Sequence, residues 1–173
     1  MTNNNFRFIG NFDVLNIVDR LKDLNWNYFT WRQENRPGLK YTETIPLIWE
    51  NNFKYYNAWE YLDSFKDELE KLKVLITEDV GPGDYITAVF TKLYAGYDIS
   101  PHIDIGQPFR DNPRIHIPIV TNNDCLFTVG NETVNMKVGE MWEINNFNKV
   151  HSVHNRGVTD RVHLMIDWKL TNP

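Results

Sequence analysis

The sequence predicts one mostly β domain with helices packed on its outside, and three observations lead to this fold class. Beyond residue 83, short β-rich runs follow one another and are separated by Gly, Pro, Asn and Asp, which is typical of a sandwich, barrel or jelly roll. Before residue 80, apolar residues recur at helical spacing. A length of 173 residues fits a single domain. We expect a helical N-terminal flank over 1–80 and a β core over 81–173.

Two helices are predicted in the N-terminal flank. Asp13 can cap the first, in which apolar residues recur over 14–24 with charges opposite. A second helix is expected over 57–72, with a charged side facing solvent. Between them the chain is irregular, apart from a strand-like stretch at 41–45.

The β core contains six runs with strand character, and one of them has two different faces. Period-two alternation places Arg114 and His116 on one face and three isoleucines on the other. The isoleucine face belongs in the core, so the polar face should line a site, although a structural role for His116 is the alternative. The predicted strands are 85–94, 115–121, 125–129, 133–138, 141–144 and 162–168.

Composition excludes several classes of protein. A formal net charge of -5 and a pI near 5.5 argue against a nucleic-acid partner. Cys125 is the single cysteine, so no intrachain disulfide is possible. No apolar run reaches the length of a membrane span, and the N-terminus does not resemble a secretory signal. We expect a cytoplasmic protein without a membrane partner, whereas the oligomeric state cannot be read from the sequence.

Three residues of the β core form a candidate metal site. His102 and Asp104 are two positions apart on an extended chain and therefore point to the same face. His151 can supply a second imidazole. Two His and one carboxylate on one face of an octahedron leave three positions open, as in non-haem Fe(II) oxygenases. Zinc is the alternative, but the chain has no His-Glu-x-x-His motif and these residues lie among strands, so iron is favoured.

Arg161 adds a cation to this group, ten positions after His151. A hairpin turn through 155–160 would set the strand of Arg161 antiparallel to that of His151 and point the guanidinium toward the metal site. A buried guanidinium can hold a carboxylate by two parallel hydrogen bonds. The alternative is a salt bridge at the rim with one of the acidic residues. A metal triad with this arginine suits a dicarboxylic 2-oxo acid.

These blocks, in this order, resemble the aspartyl/asparaginyl β-hydroxylase family of Fe(II)/2-oxoglutarate-dependent oxygenases. They span nearly half of the chain, and Thr44-Ile-Pro-Leu47 resembles an apolar segment that often precedes the barrel in such proteins. The matching blocks are Leu93-Tyr-Ala-Gly96, His102-Ile-Asp104, Arg114-Ile-His-Ile-Pro-Ile-Val-Thr121, Gly139-Glu-Met-Trp142, His151-Ser-Val-His-Asn155 and Arg161-Val-His-Leu-Met-Ile-Asp167.

The resemblance implies a double-stranded β-helix, that is, a cupin-like jelly roll, with the N-terminal helices outside it. By the resemblance, the triad binds Fe(II), Arg161 holds the distal carboxylate of 2-oxoglutarate, and Arg114 and His116 lie near its oxalyl end. The implied reaction consumes O2, hydroxylates an unactivated C–H bond and releases succinate and CO2. The alternative is a non-catalytic cupin-like module that binds a small acid or a sugar.

The substrate is less defined than the reaction. A small metabolite, such as a free amino acid, or a peptide or protein side chain is expected. Candidate substrate contacts are Arg110, in a Pro/Gly loop over 106–113 that could act as a lid, and His163, which shares strand parity with Arg161. For His163 a packing role is the alternative. Arg32, Arg36 and the aromatic loop 26–31 are further candidates.

Overall fold

The computed structural model describes residues 4–27, 29–49, 61–105 and 112–171. Two antiparallel sheets are present in this part of the chain, and together they form the predicted jelly roll. The larger sheet has the order β1-β8-β5-β10-β3-β2 and the smaller one β4-β9-β6-β7. The strands are β1 Phe6–Asn11, β2 Thr42–Trp49, β3 Gly83–Leu93, β4 Asp98–His102, β5 Arg114–Val120, β6 Cys125–Val129, β7 Glu132–Val134, β8 Glu140–Ile144, β9 His151–Asn155 and β10 Arg161–Leu170.

The helices are α1 Leu15–Leu21, α2 Trp31–Asn35 and α3 Lys66–Asp79. Val14 rather than Asp13 is the N-cap residue of α1, but the Asp13 carboxylate accepts a hydrogen bond from the Leu15 amide at 3.0 Å. The predicted start of the second helix at residue 57 lies outside the described residues. A short 3-10 turn over Asp63–Phe65 leads into α3, which runs seven residues past the predicted end. No described helix has the length and apolar character needed to cross a bilayer.

The expectation of a helical flank over 1–80 requires a correction, because two strands lie in it; β2 extends the strand-like stretch predicted at 41–45, whereas β1 was not predicted. Strand β1 pairs with β8 and β2 pairs with β3, so the N-terminal segment supplies both edges of the larger sheet. Both strands are bulged, β1 between Phe8 and Gly10 and β2 between Pro46 and Ile48. A bulge breaks the period-two alternation that would reveal a strand in the sequence.

Two apolar cores lie on opposite faces of the larger sheet. Helices α1 and α3 pack on its outer face, where Ile17 and Leu72 meet side chains such as Ile115. The second core, with Phe127 and Val153, lies between the two sheets. Alternate residues of β5 and β10 therefore belong to different environments: the isoleucines of β5 face the helices, whereas Arg114, His116, Arg161 and Met165 face the interior.

The predicted hairpin between the strands of His151 and Arg161 is wrong. Strand β9 pairs with β4 and β6 in the smaller sheet, whereas β10 pairs with β3 and β5 in the larger one. The connection therefore crosses from one sheet to the other, and the Asn155 side chain supports it by donating to the Thr159 carbonyl at 3.0 Å. Arg161 still faces the interior, because β10 lies in the sheet opposite β9. His151 and Arg161 therefore line the same cavity between the two sheets.

Candidate metal centre

The predicted metal ligands meet at one end of the smaller sheet. His102 ends β4 and His151 begins β9, and these two residues are opposite each other in the antiparallel pair. Asp104 follows two positions after His102. Its two oxygens lie 3.8 Å from His102 Nε2 and 3.8 Å from His151 Nε2, and one ligand atom from each residue lies within 4.8 Å of the others. The three side chains could hold one metal ion.

Both imidazoles are held in the tautomer that a metal requires. His102 Nδ1–H donates to the Ser100 carbonyl at 2.7 Å, and His151 Nδ1–H donates to the Lys149 carbonyl at 3.4 Å. Each ring therefore presents the Nε2 lone pair toward Asp104. Burial lowers the pKa of His151 to about 4, against the opposing effect of Asp104. His151 is thus neutral near pH 7, the form that binds a metal ion.

Asp104 is held as a carboxylate by two donors. Its Oδ2 accepts hydrogen bonds from Arg114 Nη1 and from Asn146 Nδ2, the latter at 3.0 Å. Burial raises the pKa of Asp104, but the Arg114 charge, the Asn146 hydrogen bond and the two histidines outweigh it and bring the pKa down to about 2. A set of two imidazoles and one permanent carboxylate fits the non-haem Fe(II) site that was predicted.

Arg114 links this carboxylate to a second one. Its Nε and Nη2 donate to the two oxygens of Asp167 at 2.8 and 3.0 Å, so the guanidinium bridges Asp167 and Asp104. Burial lowers the pKa of Arg114, but the two carboxylates more than reverse this and raise it above the usual range. Asp167 and Asn146 were not predicted as site residues. Asp167 could have been predicted, because it lies an even number of positions after Arg161 on the same strand and therefore points to the same face.

Arg161 lies in a small inner cavity of about 60 Å³, which the triad and His116 also line. The guanidinium is 1% exposed, and burial lowers its pKa to about 10. Its Nη2 donates to His163 Nδ1 at 2.7 Å, while Nε has no hydrogen-bond partner in the described part of the chain. No described acidic side chain pairs with it, so the rim salt bridge considered from the sequence does not form among these residues.

The two inward-facing histidines differ in their surroundings. His163 is buried, and its Nδ1 accepts the hydrogen bond from Arg161, which places it behind the guanidinium. His116 lines the inner cavity, and its Nδ1 has no partner among the described residues. Burial, aided by Arg161, lowers the pKa of both rings well below 6.5. Both histidines are therefore neutral.

A wider outer cavity of about 610 Å³ adjoins the inner one, and His102 and Asp104 line both. Trp31, Arg32, Arg36 and Trp49 line it, three of them on α2 or directly after it. Burial and the nearby Arg114 lower the pKa of Arg32 to about 10, against the effect of Asp104. Arg110 and most of the predicted lid lie outside the described residues.

The family model described as Aspartyl/Asparaginyl beta-hydroxylase matches residues 17–170. The chain belongs to the aspartyl/asparaginyl β-hydroxylase family. This confirms the family predicted from the sequence blocks. No curated protein matches the chain significantly.

Several solved structures share the fold. The prolyl-4-hydroxylase of Pseudomonas putida is 10% identical, with a TM-score of 0.59 over 98% of this chain and 95% of that one. The viral collagen prolyl hydroxylase of Paramecium bursaria Chlorella virus-1, in its 2OG complex, is 7% identical, with a TM-score of 0.61 over 98% of both chains. A 2OG-Fe(II) oxygenase family protein from Burkholderia pseudomallei is 10% identical, with a TM-score of 0.59 over 76% of this chain.

At these identities the structural likeness establishes the fold alone, and it confirms the predicted jelly roll. The chain spans 66% of the Burkholderia protein and 35% of AerE from Microcystis aeruginosa. The cofactor prediction of Fe(II), 2-oxoglutarate and O2 agrees with the family and with the His-Asp-His group in the structure.

Proposed function

We propose that the protein is an Fe(II)/2-oxoglutarate-dependent dioxygenase that hydroxylates an unactivated C–H bond of a small metabolite or a peptide side chain. The observation that carries this proposal is the buried Arg161 beside the triad. A guanidinium removed from water is costly without an anionic partner, and none of the described residues supplies one. A dicarboxylic co-substrate would supply the missing anion.

The residues fit the proposed co-substrate in charge and position. Arg161 would hold the distal carboxylate in the inner cavity, with His163 fixing the guanidinium from behind. His116 also lines this cavity, and its Nδ1 has no hydrogen-bond partner among the described residues, which suits the predicted place near the oxalyl end. The contacts of Arg114 with Asp104 and Asp167 favour a different role for that arginine, at the metal-ligating carboxylate.

With Fe(II) held by His102, Asp104 and His151, the metal would activate O2, placing one oxygen atom in the product and the other in succinate as CO2 leaves. The chain itself would position the two reactants. The inner cavity would receive the distal carboxylate end of the co-substrate, while the outer cavity would receive the molecule to be oxidised, because His102 and Asp104 line both cavities.

The lining of the outer cavity bears on the substrate. Arg32 and Arg36 provide positive charge, and Trp31 and Trp49 provide flat apolar surface. Small acids and amino acids, or an acidic peptide side chain, match this lining. Arg110 is proposed as a further contact to an anionic group. For His163, the burial behind Arg161 favours support of that arginine over direct contact with a substrate.

The test is succinate release from 2-oxoglutarate by the Fe(II)-loaded protein under air with ascorbate, screened over free amino acids and short peptides. A substrate should increase succinate release and gain 16 mass units. Metal affinity is measured separately by titration of the apoprotein with Mn(II). His151→Ala should weaken Mn(II) binding and abolish turnover.

A matched control is His154→Ala, which removes an imidazole that lies on the same strand but pairs with Asp98. This variant should bind Mn(II) like the parent protein. Equal Mn(II) binding by the parent and His151→Ala would overturn the triad assignment. Binding of 2-oxoglutarate without succinate formation for any screened compound would favour the non-catalytic binding module.

A further inference from the structure

The two carboxylate oxygens of Asp104 differ in their hydrogen bonds. A carboxylate offers about four lone-pair sites, two on each oxygen. The Oδ2 atom accepts from both Arg114 Nη1 and Asn146 Nδ2, so its two sites are filled. Oδ1 lies 3.8 Å from His102 Nε2 and Oδ2 lies 3.8 Å from His151 Nε2, but no donor in the described part of the chain hydrogen-bonds to Oδ1. Oδ1 is therefore the oxygen with both lone-pair sites open to a metal ion.

The two donors are themselves held in place. Asn146 is 2% exposed and lies two residues after the end of β8, and its main-chain carbonyl accepts a hydrogen bond from the Asp104 amide at 3.1 Å. Asn146 therefore contacts Asp104 through both its main-chain carbonyl and its side-chain amide. Arg114 is 6% exposed and Asp167 is 2% exposed, and their paired hydrogen bonds at 2.8 and 3.0 Å orient the guanidinium toward Asp104.

We propose that Asn146 and the Arg114–Asp167 pair position Asp104 so that it binds the metal through Oδ1 alone. Asp167 acts through Arg114 and touches neither the metal nor a substrate, so it is a positioning residue, as is Asn146. The inference rests on the proposed function. A second carboxylate oxygen on the metal would occupy one of the three positions that a chelating 2-oxo acid and O2 require.

Asp104 lies among charged neighbours. It shares the Arg114 guanidinium with Asp167, and Arg32 is a further cation that interacts with both carboxylates. Partners that orient a metal ligand in this way typically change metal affinity by about 10–100-fold when they are removed.

The first test is Mn(II) affinity of the apoprotein, measured by calorimetric titration without co-substrate. Asp167→Asn and Asn146→Ala should each weaken Mn(II) binding by about 10–100-fold. Arg7→Lys is the control, because Arg7 pairs with the buried Glu143 in the same sheet at 2.7 Å and Glu143 is not part of the triad. This control should bind Mn(II) like the parent protein.

A structural role would have a different signature. If Asp167 only stabilises the fold, Asp167→Asn would lower the urea midpoint while the folded protein kept its Mn(II) affinity, and the proposal would be overturned. Asp167→Asn leaves the buried Arg114 with one acidic partner fewer, which could itself destabilise the fold. The double variant Arg114→Met/Asp167→Leu therefore provides a second test of Mn(II) affinity. It replaces the pair with apolar side chains, which buried sites tolerate, and should show the same loss of Mn(II) affinity.

Infrared spectroscopy can show whether one or both oxygens of Asp104 bind the metal ion. Infrared difference spectra of the Zn(II) form separate one-oxygen from two-oxygen carboxylate binding by the splitting of the two carboxylate stretches. The parent protein should show one-oxygen binding, and Asn146→Ala should move toward two-oxygen binding. A two-oxygen carboxylate in the parent would overturn the inference. These measurements use neither 2-oxoglutarate nor turnover, so their failure is distinct from failure of the succinate assay.

Discussion

Replacing Arg161 should separate the binding of 2-oxoglutarate from the stability of the fold. A guanidinium that holds a carboxylate through two charge-assisted hydrogen bonds contributes about 1.5–3 kcal/mol for each. At the lower end the pair is worth about 3 kcal/mol, so Arg161→Met should weaken 2-oxoglutarate binding by at least about 100-fold. Arg161→Lys keeps the charge but loses the paired geometry, and an intermediate loss is expected.

The stability of the same variant should change less than it does when an ordinary buried ion pair is broken. Burial lowers the pKa of Arg161 from 12.5 to about 10, which means that folding disfavours its charged form by about 3 kcal/mol. No described acidic side chain pairs with Arg161 to offset this cost of burying its charge. Removing the charge should therefore offset the loss of packing and of the His163 hydrogen bond. The free energy of unfolding without 2-oxoglutarate should fall by less than about 1 kcal/mol, or rise.

The assay combines two measurements on Mn(II)-loaded protein, in which turnover cannot occur. Calorimetric titration gives the dissociation constant of 2-oxoglutarate, and urea unfolding without it gives the stability. Arg156→Met is the control, because Arg156 is exposed and pairs with Asp98 away from the cavity; neither quantity should change. A loss of more than about 3 kcal/mol in stability with 2-oxoglutarate affinity retained would refute the reasoning, since a loss of that size is expected for a broken buried ion pair.

Two further predictions concern stability. His116 and His163 have pKa values well below 6.5 in the folded protein, so below pH 6.5 the unfolded chain binds more protons and stability falls as pH falls. Urea unfolding in EDTA should show a loss of up to about 1.4 kcal/mol per pH unit for each histidine, and an unchanged pH slope in His116→Gln would contradict this. Gly139→Ala should lose about 2–4 kcal/mol in thermal or urea unfolding, because φ is +80° and the new Cβ would lie 2.6 Å from the Phe12 carbonyl oxygen. Gly38→Ala, with open space around it, should be close to neutral.

The parts of the fold that were predicted depend on local patterns. In β5, alternation alone separated the isoleucines that pack under the helices from Arg114 and His116, which face the interior. The predicted bounds of β6 are those of the structure, since turn residues flank this strand closely. Strand β1 was missed, because its bulge interrupts the alternation and its pairing partner β8 lies far along the chain.

The site was predicted where its chemistry is carried by residue type. The triad and Arg161 were found from the sequence, and the structure brings all four side chains to one cavity. Asn146 and Asp167 were not predicted as site residues. Their contacts join residues that are 42 and 53 positions apart. Only the packing of the sheets creates those contacts.

The sequence by itself determined which side chains could form a metal centre and which family the chain resembles, since both depend on residue identity and spacing. The tertiary structure decided how those side chains are used. Strands β9 and β10 lie in opposite sheets rather than in one hairpin, so His151 and Arg161 face each other across the interior. The same closure places Arg114 between Asp104 and Asp167. A guanidinium bonds only to acceptors within about 3 Å, and that distance is set by the folded sheets.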